Sequence, residues 1–230
     1  MGATTLALRV HDRGDTITRD FVVHDLVIAG WTGRDPVARD KHIAELELLG
    51  VKRPASTPIY YRVAASRLTT ADSLDAAGGQ SSGEVEFVLM RSAGRLYVGV
   101  GSDHTDREVE TYNITVSKQM CDKPVAPEVW AFEEVAGHWD RIVLRSFATI
   151  DGRRELYQEG TLAAMLAPAD LATREFGDAG LPEGTALFGG TFAAKGGIRP
   201  ASRFDFEMED PVLGRTIRHG YAVRVLPVVG

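Results

Sequence analysis

The sequence is poor in cysteine, in clustered positive charge and in long apolar runs. Its 230 residues contain one cysteine, Cys121, so an internal disulfide is excluded and the chain fits a reducing compartment. The net charge is −6 and no basic block is present, which argues against a nucleic-acid-binding protein. No apolar run approaches the roughly 20 residues that a membrane span needs, and Met1 is not followed by a signal-like stretch. We therefore expect a cytoplasmic protein that binds neither nucleic acid nor membrane.

The composition is that of an ordinary globular protein, with 44% hydrophobic and 25% charged residues. A chain of 230 residues is long enough for one large core, and the sequence shows no internal repeat and no low-complexity linker. We expect a single domain over residues 1–230, in which an N-terminal part (1–57) precedes a larger part (58–230). Strand-like runs outnumber helical ones, which predicts a β-rich α+β fold.

Strands are predicted where apolar residues alternate or run together between turn residues. The predicted strands are 4–10, 21–29, 58–65, the run around Glu84 and Glu86, 95–101, 142–150, 185–188, 202–209 and 216–226. Short helices are predicted over 162–166 and 168–176. Residues 74–80 are interpreted as a loop, and residues 107–118 fit either a helix or an extended segment.

A further helix is predicted over residues 37–49, because Asp35 can cap its start and Gly50 ends it. On this helix His42 and Glu45 are three residues apart and share a face. A carboxylate beside an imidazole orients the ring and raises its basicity, so the pair has the makings of a general base. The alternative is a surface helix with a chance ion pair.

Three acidic residues are predicted to converge in the middle of the chain. Glu84 and Glu86 are two apart in an alternating run, so both carboxylates project from one face of a strand. Asp103 ends the next strand, which follows a turn at 92–94, and pairing of the two strands brings it near that face. Such carboxylates repel each other unless a cation lies between them, and hard oxygen ligands suit Mg²⁺, Mn²⁺ or Ca²⁺. The alternative is a solvated strand face followed by a polar turn.

Several motifs, in order along the chain, resemble the fumarylacetoacetate hydrolase superfamily, and more closely a bacterial branch of it without an assigned function. The resemblance is colinear from about Ile28 to Arg224. The matching segments, in chain order, are Gly33-Arg34-Asp35 with His42-Ile43-Ala44-Glu45 (the lid), Tyr60-Tyr61-Arg62 (F-x-K), Glu84-Val85-Glu86 (E-x-E), Ser102 to Glu108 (N-D-x-S/T-x-R-D/E), Lys118, Asp151-Gly152 to Gln158 (N-G-x-x-x-Q), Leu181 to Thr185 (L-x-x-G-D/T) and Gly190-Thr191-Phe192 (G-T-P).

The resemblance implies a mixed β-sandwich roll with a short lid helix, usually assembled as a homodimer. It also implies a Mg²⁺ or Mn²⁺ site with Glu84, Glu86 and Asp103 as ligands. Two departures concern the surroundings of this site. The segment between Glu86 and Asp103 is shorter than is usual, and Phe192 stands where the family has proline. These departures bear on the substrate more than on the metal.

The resemblance further implies roles for the polar residues around the metal. His42, oriented by Glu45, would deprotonate a water or the substrate when the lid closes. Lys118 would pair with a substrate carboxylate or a developing carbanion, or form a salt bridge to a metal-binding carboxylate. Thr191 with its neighbouring amides, and Arg62 from the opposite wall, would hold a substrate carboxylate. Arg62 stands where the family has lysine, and its alternative is a pairing with an acid inside the fold.

The function that the resemblance implies is a metal-dependent hydrolase of a small 2-oxo or 1,3-dioxo acid, which cleaves a C–C bond through a metal-stabilised enolate. Enol–keto isomerisation, decarboxylation of an oxo acid and hydration use the same site and remain alternatives. Two non-catalytic classes also remain open: a metal- or carboxylate-binding protein that has lost turnover, and a scaffold that assembles through its β-edges.

Overall fold

The computed structural model describes residues 2–48 and 53–229, except for the side chains at positions 38, 42 and 45–48. The strands of the described residues are β1 (Thr4–Asp12), β2 (Asp15–Val23), β3 (Asp25–Gly30), β4 (Ile59–Val63), β5 (Leu68–Thr69), β6 (Ser73–Ala77), β7 (Ser81–Ser82), β8 (Val85–Ser92), β9 (Arg95–Ser102), β10 (Thr105–Asp106), β11 (Lys123–Pro124), β12 (Glu128–Ala131), β13 (Val143–Ile150), β14 (Arg153–Thr161), β15 (Thr185–Phe188), β16 (Arg203–Asp210) and β17 (Arg215–Leu226). The helices are α1 (Pro36–Leu48), α2 (Arg107–Glu110), α3 (Ile114–Met120), α4 (Phe132–Val135) and α5 (Pro168–Phe176).

Two sheets organise these elements. The larger has the strand order β2-β1-β12-β9-β8-β15-β3-β4, and the smaller has the order β14-β13-β16-β17-β6. Neighbouring strands are antiparallel except for β1 with β12 and β15 with β3 in the larger sheet, and β17 with β6 in the smaller. Two short ladders join β7 to β10 and β5 to β11. Both sheets are therefore mixed, as the β-sandwich roll predicted from the motifs requires.

One hydrophobic core lies between the two sheets. Phe87 and Val98 of the larger sheet belong to the same buried cluster as Leu144 and Phe206 of the smaller. Phe87 also meets the ring of Trp139 edge-on, with the ring centroids 5.1 Å apart. This core holds β8, which carries the candidate site, against the smaller sheet.

A second core lies on the other face of the larger sheet. Its members come from both ends of that sheet, with Leu8 and Phe21 from β1 and β2, and Ile28 and Tyr61 from β3 and β4. Because strands from both ends share one core, the sheet curls around it. Strand β8 sends alternate side chains into the two cores, so residues 87–90 are continuously apolar although they form a strand.

The prediction of a β-rich α+β fold is confirmed, but three local predictions are wrong. Part of the segment interpreted as a loop is strand β6, because β17 offers it a parallel ladder. The run 21–29 is two strands, which separate at His24. There the amide donates to the Gly184 carbonyl (2.8 Å), and the chain changes its partner from β1 to β15. The helix predicted over 162–166 is a short 3-10 turn at 162–164.

The segment that fitted either a helix or a strand forms two short helices, α2 and α3. Asp106 caps α2 by accepting from the Val109 amide (2.9 Å), and Asn113 caps α3 by accepting from the Val116 amide (3.0 Å). Asn113 itself has extended backbone, so the chain turns between the helices. This turn directs Lys118 on α3 into the interior, where its side chain is buried.

The helix predicted over 37–49 is observed as α1. Asp35 caps it, as predicted, by accepting from the amide of Val37 (2.8 Å). Residues 49 and 50, which include the glycine expected to end the helix, lie outside the described residues. Neither α1 nor any other helix in the described ranges has the length and apolar character needed to cross a bilayer.

A buried aspartate at the end of β16 provides a test of this packing. Asp210 Oδ1 accepts from the amides of Val212 (3.0 Å) and Leu213 (3.1 Å) and from His138 Nε2 (2.9 Å). Replacing it with alanine leaves these donors unpaired, so we expect Asp210→Ala to lower the free energy of unfolding by about 2–3 kcal/mol, measured with urea. Burial acts to raise the pKa of Asp210. The hydrogen bonds from the two amides and from His138 outweigh burial, so the pKa is lowered. This contribution is therefore complete above the ordinary aspartate pKa and is lost as the pH falls through the lower folded value.

Asp205→Ala, earlier on the same strand β16, is the matched control. Asp205 pairs with Arg154 (3.2 Å) and Arg203 (2.8 Å) on the outer face of the smaller sheet. Exposed pairs of this kind contribute about 0–1 kcal/mol. Equal losses in the two variants would contradict the special role of Asp210.

Candidate active site

The three predicted carboxylates come together where β8 and β9 pair. Val85 pairs with Ser102, and the amide of Asp103 donates to the carbonyl of Glu84 (2.9 Å). This register places Glu84 beside Asp103. Glu86 follows two residues later and projects from the same face of the strand. Ligand oxygens of Glu84, Glu86 and Asp103 all lie within 4.8 Å of one another. The hairpin therefore produces the convergence that the sequence predicted.

Glu86 is buried, and its side chain forms none of the ion pairs found among the described residues. Its Oε2 accepts from the Gly190 amide at 2.7 Å. Burial, followed by the charge of Asp103, raises the pKa of Glu86 well above its usual range. Gly190 makes this contact possible, because its φ is +104° and a Cβ there would lie 1.8 Å from Thr32 Oγ1.

Asp103 is held by two buried lysines. Lys118 Nζ contacts Oδ2, and Lys123 Nζ lies 3.2 Å from Oδ1 and also donates to the carbonyl of His104. Burial alone would raise the pKa of Asp103, but the two ammonium groups outweigh it and lower the pKa. Burial likewise acts to lower the pKa of Lys118, but Asp103 and Glu84 outweigh it and raise the pKa. For Lys123 burial prevails and the pKa is lowered.

Arg107 completes the positive side of the cluster. Its Nη2 lies 3.3 Å from Glu84 Oε1, its Nη1 donates to Glu110 (2.8 Å) and its Nε donates to Ser82 (2.6 Å). Arg107 therefore supports the strand ends around the carboxylates.

The donor set fits a hard divalent cation. It consists of three carboxylates, the oxygen ligands that Mg²⁺, Mn²⁺ and Ca²⁺ prefer. The buried Glu86 has no cationic neighbour in contact within the described part of the chain, whereas Asp103 already has two. A divalent cation would supply the positive counter-charge for Glu86. It would also contact Asp103, which Lys118 and Lys123 already contact.

A cavity of about 930 Å³ opens above the carboxylates. Glu84, Glu86 and Lys118 lie on its wall, together with residues 29–35 of the loop that leads into α1. Apolar side chains cover much of the rest. They include Tyr61, Ile114, Phe192 and Ile198. The cluster therefore faces a space in which a small molecule can bind.

A glutamine braces the wall beside the cluster. Gln158 Oε1 accepts from the Val85 amide (2.9 Å) and from Ser146 (2.9 Å), while its Nε2 donates to Thr191 Oγ1 (2.8 Å) and the Phe192 carbonyl (2.6 Å). The Thr191 hydroxyl in turn donates to the carbonyl of Val85 (2.7 Å). Its proton is thus committed inside the protein, and any carboxylate contact at this position falls to backbone amides.

A neutral network lies behind Asp103. His104 contacts Tyr221 Oη through Nδ1 (2.9 Å) and Ser81 Oγ through Nε2 (2.9 Å), and Tyr221 also contacts Ser102 (2.8 Å). Burial, followed by the charge of Lys123, lowers the pKa of His104 to about 3. His104 is therefore neutral at physiological pH and acts as a packing and hydrogen-bonding residue.

The structure gives less support to the other predicted site residues. Thr191 lies on the cavity wall, but Arg62 is absent from its lining and pairs with Glu175 (2.6 Å) and Asp25 (3.7 Å). Arg62 thus makes the acid pairing that was its alternative, and its role in binding substrate stays a prediction. His42 and Glu45 fall in α1, but their side chains lie outside the described part of the structure, so their role also stays a prediction.

Sequence reasoning missed two charged residues of the site. Lys123 precedes a proline, and no pattern in the neighbouring residues indicates that it is fully buried. Arg39 falls in the helix predicted over 37–49, where no role was assigned to it, and it lies on the cavity wall. Gln158 was matched by a motif without a role, and its bracing function depends on contacts made across the fold.

Several solved structures share this fold. One is the yeast protein ynq8, a fumarylacetoacetate hydrolase family protein (16% identity over 90% of this chain and 95% of that chain, TM-score 0.62). Another is a 2-keto-3-deoxy-D-arabinonate dehydratase complexed with magnesium and 2,5-dioxopentanoate (13%, 94% and 86%, TM-score 0.63). A third is 5-carboxymethyl-2-hydroxymuconate delta-isomerase from Mycobacterium smegmatis (13%, 93% and 85%, TM-score 0.60). The fold is that of the fumarylacetoacetate hydrolase family, which confirms the resemblance drawn from the motifs.

Residues 29–221 match a family model described as a protein of unknown function, DUF2848. The chain therefore belongs to that family. No curated protein is similar enough in sequence to match it.

Proposed function

We propose that this protein is an enzyme that acts on a small 2-oxo or 1,3-dioxo acid with the help of Mg²⁺ or Mn²⁺ at Glu84, Glu86 and Asp103. The observation that carries the proposal is the buried carboxylate cluster at the wall of a large cavity. It is supported by the dehydratase of the same fold, whose structure contains magnesium and a dioxo acid. The homodimer that the motifs imply is part of the proposal.

Adjacent oxygens of an oxo acid can chelate a divalent cation, which polarises the carbonyl and stabilises an enolate. In the protein itself, Lys118 lies on the cavity wall and is held protonated by Asp103. Its ammonium is therefore available to a substrate carboxylate or to the enolate oxygen. Lys118 Nζ also lies over the ring of Tyr61, 5.5 Å from its centroid, in a cation–π contact.

Hydrolysis of a C–C bond is the reaction that we propose. With 2,4-dioxopentanoate, a water adds to the 4-oxo carbon, the C3–C4 bond breaks, and acetate leaves. The remaining enolate of pyruvate takes a proton at C3, so one water is consumed per acetate and pyruvate formed. His42, oriented by Glu45 on α1, is the proposed base for the water.

Enol–keto isomerisation is the second candidate, and the isomerase of the same fold favours it. It uses the same enolate and differs in that a proton moves between oxygen and carbon without bond cleavage. Decarboxylation of an oxo acid, hydration, and metal or carboxylate binding without turnover are further alternatives at the same site.

Incubation of the purified protein with Mn²⁺ and 2,4-dioxopentanoate tests the proposal. We expect loss of the enol absorbance with equal amounts of acetate and pyruvate, and no reaction after treatment with a chelator. The His42→Ala variant should keep its affinity for the metal and lose turnover, because a base is not needed for metal binding.

The products separate the alternatives. Faster equilibration of enol and keto forms without acetate would replace hydrolysis by isomerisation. If Mn²⁺ and oxalate bind but no oxo acid is turned over, the binding reading gains. If neither binds, the enzyme proposal is contradicted.

A further inference from the structure

Arg39, on the cavity wall, is mostly buried and poorly satisfied. Its side chain is 16% exposed, and its Nε is buried without a hydrogen-bond partner in the part of the chain that the structure describes. Among the described residues, the contacts of its terminal nitrogens are the Gly33 carbonyl and the Asp40 carboxylate, both at 3.5 Å, the outer limit of a hydrogen bond. A guanidinium carries five N–H donors, and taking them out of water without close acceptors is costly. The position therefore suits an anion that arrives with the ligand.

Arg34, on the same wall, differs from Arg39 because its guanidinium has close hydrogen-bond acceptors. Its Nη1 and Nη2 both donate to the carboxylate of Asp140 at 2.7 Å, and its Nε donates to the Met165 carbonyl at 2.8 Å. Arg34 thus ties the start of the lid to the rest of the protein. Arg39 has no such bidentate partner among the described residues, so the two arginines do different work.

Arg39 also lies outside the carboxylate cluster. The cations in ion-pair contact with that cluster, within the described ranges, are Arg107, Lys118 and Lys123. Arg39 instead belongs to α1, on the lid side of the cavity. A ligand held at the carboxylates therefore reaches Arg39 only if it extends beyond the cluster.

The size of the cavity agrees with an extended ligand. Its volume of about 930 Å³ is at the upper end of the roughly 300–1,000 Å³ that ligand pockets occupy, far more than a three-carbon oxo acid fills. The wall of the same cavity includes apolar side chains, among them Ile114, Phe192 and Ile198. Such a wall suits a hydrocarbon segment between two polar ends.

We infer that the substrate is an extended oxo acid with a second carboxylate at the end away from the metal, and that Arg39 binds this carboxylate. The inference rests on the proposed function, because the oxo-acid end must lie at Glu84, Glu86 and Asp103. The guanidinium fork matches a carboxylate with two parallel hydrogen bonds. Arg39 is thereby a residue that determines specificity and is separate from the groups that hold the reacting end.

Calorimetry on the metal-loaded protein tests the inference with a matched pair of ligands. 2-Oxoadipate and 2-oxohexanoate have the same length and the same oxo-acid end, but only the first has a far carboxylate. We expect the wild type to bind 2-oxoadipate about tenfold to a hundredfold more tightly, as a charged hydrogen-bonded contact provides. Arg39→Gln should remove this preference, and Arg39→Lys should retain part of it, because lysine keeps the charge without the fork.

Oxalate separates the inference from the proposed function. It presents only the chelating end, so its affinity should be the same in the wild type and in Arg39→Gln. Arg153→Gln, which removes an exposed arginine from β14, controls for net charge and should behave like the wild type. If oxalate binds but the wild type does not prefer 2-oxoadipate, or Arg39→Gln keeps the preference, this inference alone is overturned. Failure of the metal-loaded wild type to bind oxalate contradicts the proposed function and the inference together.

Discussion

We expect the Glu86→Gln variant to be more stable than the wild type without metal and to gain no stability from Mg²⁺ or Mn²⁺. Glu86 is buried beside two other carboxylates and has no cation in contact among the described residues. Glutamine keeps the shape and the hydrogen bond from Gly190, removes the repulsion, and adds an amide that can donate to its acidic neighbours. A gain of about 1 kcal/mol would raise the melting temperature by about 2–4 °C in a chain of this size.

The same variant should bind the metal at least about 100-fold more weakly, because even residues that only support metal ligands cost 10–100-fold when they are replaced. Thermal unfolding with and without metal, together with calorimetry, measures both effects. Glu108→Gln makes the same change in charge at an exposed position of α2 and should leave both quantities unchanged. A Glu86→Gln protein that is less stable without metal, or that still gains stability from Mn²⁺, would show that the carboxylates are not a cation site.

The convergence of the three carboxylates could be predicted because it is local. A tight hairpin joins β8 to β9, and its antiparallel register follows from the turn and from the alternation of side chains. Once Val85 pairs with Ser102, Glu84 and Asp103 must be neighbours. Two strands and one turn contain all the information that is needed, and the sequence shows them directly.

The positive side of the site could not be predicted in the same way. Lys123 reaches Asp103 because β11 pairs with β5, through Lys123 and Leu68, and that ladder joins distant parts of the chain. Neither strand has a pattern that marks the other as its partner. Lysine is also rarely buried completely, so composition favours the opposite prediction. Contacts of this kind depend on tertiary packing and have no local signal.

The fold shows the same division. Strands with strong apolar patterns were found, but the weakly patterned β6 was not, because its pairing with β17 rather than its own residues makes it a strand. Strand β15 was predicted from residues 185–188, whereas its position between β8 and β3 could not be. The strand-rich class and the motifs that resemble a known superfamily were sufficient to predict the fold. The resemblance implies an arrangement of strands that cannot be predicted from single apolar runs.

The structure also explains how one small region combines opposite charges. Glu84 has Arg107, and Asp103 has two lysines, but Glu86 is left to a backbone amide. Partial neutralisation keeps the cluster compatible with a folded protein before a cation arrives. The negative charge that is not paired within the described residues lies on the buried carboxylate of Glu86. Glu86 is therefore the ligand that a bound cation would stabilise most.

Lys123 should make a large contribution to the stability of the fold. We expect Lys123→Met to lower the free energy of unfolding of the metal-free protein by about 3–5 kcal/mol, the usual cost of breaking a buried ion pair. Methionine fills the same space but leaves Asp103 with Lys118 alone and the carbonyl of His104 without its donor. Urea unfolding measures the loss.

Addition of Mn²⁺ should recover part of this loss, because a cation at the cluster replaces positive charge beside Asp103. Lys195→Met is the matched control, since Lys195 forms an exposed pair with Glu159 at 3.3 Å and such pairs contribute about 0–1 kcal/mol. If Lys123→Met is no less stable than Lys195→Met, the buried lysine is not the counter-charge of Asp103. If it is destabilised but Mn²⁺ recovers nothing, Lys123 stabilises the fold independently of the cation site, and the two charges act on Asp103 separately.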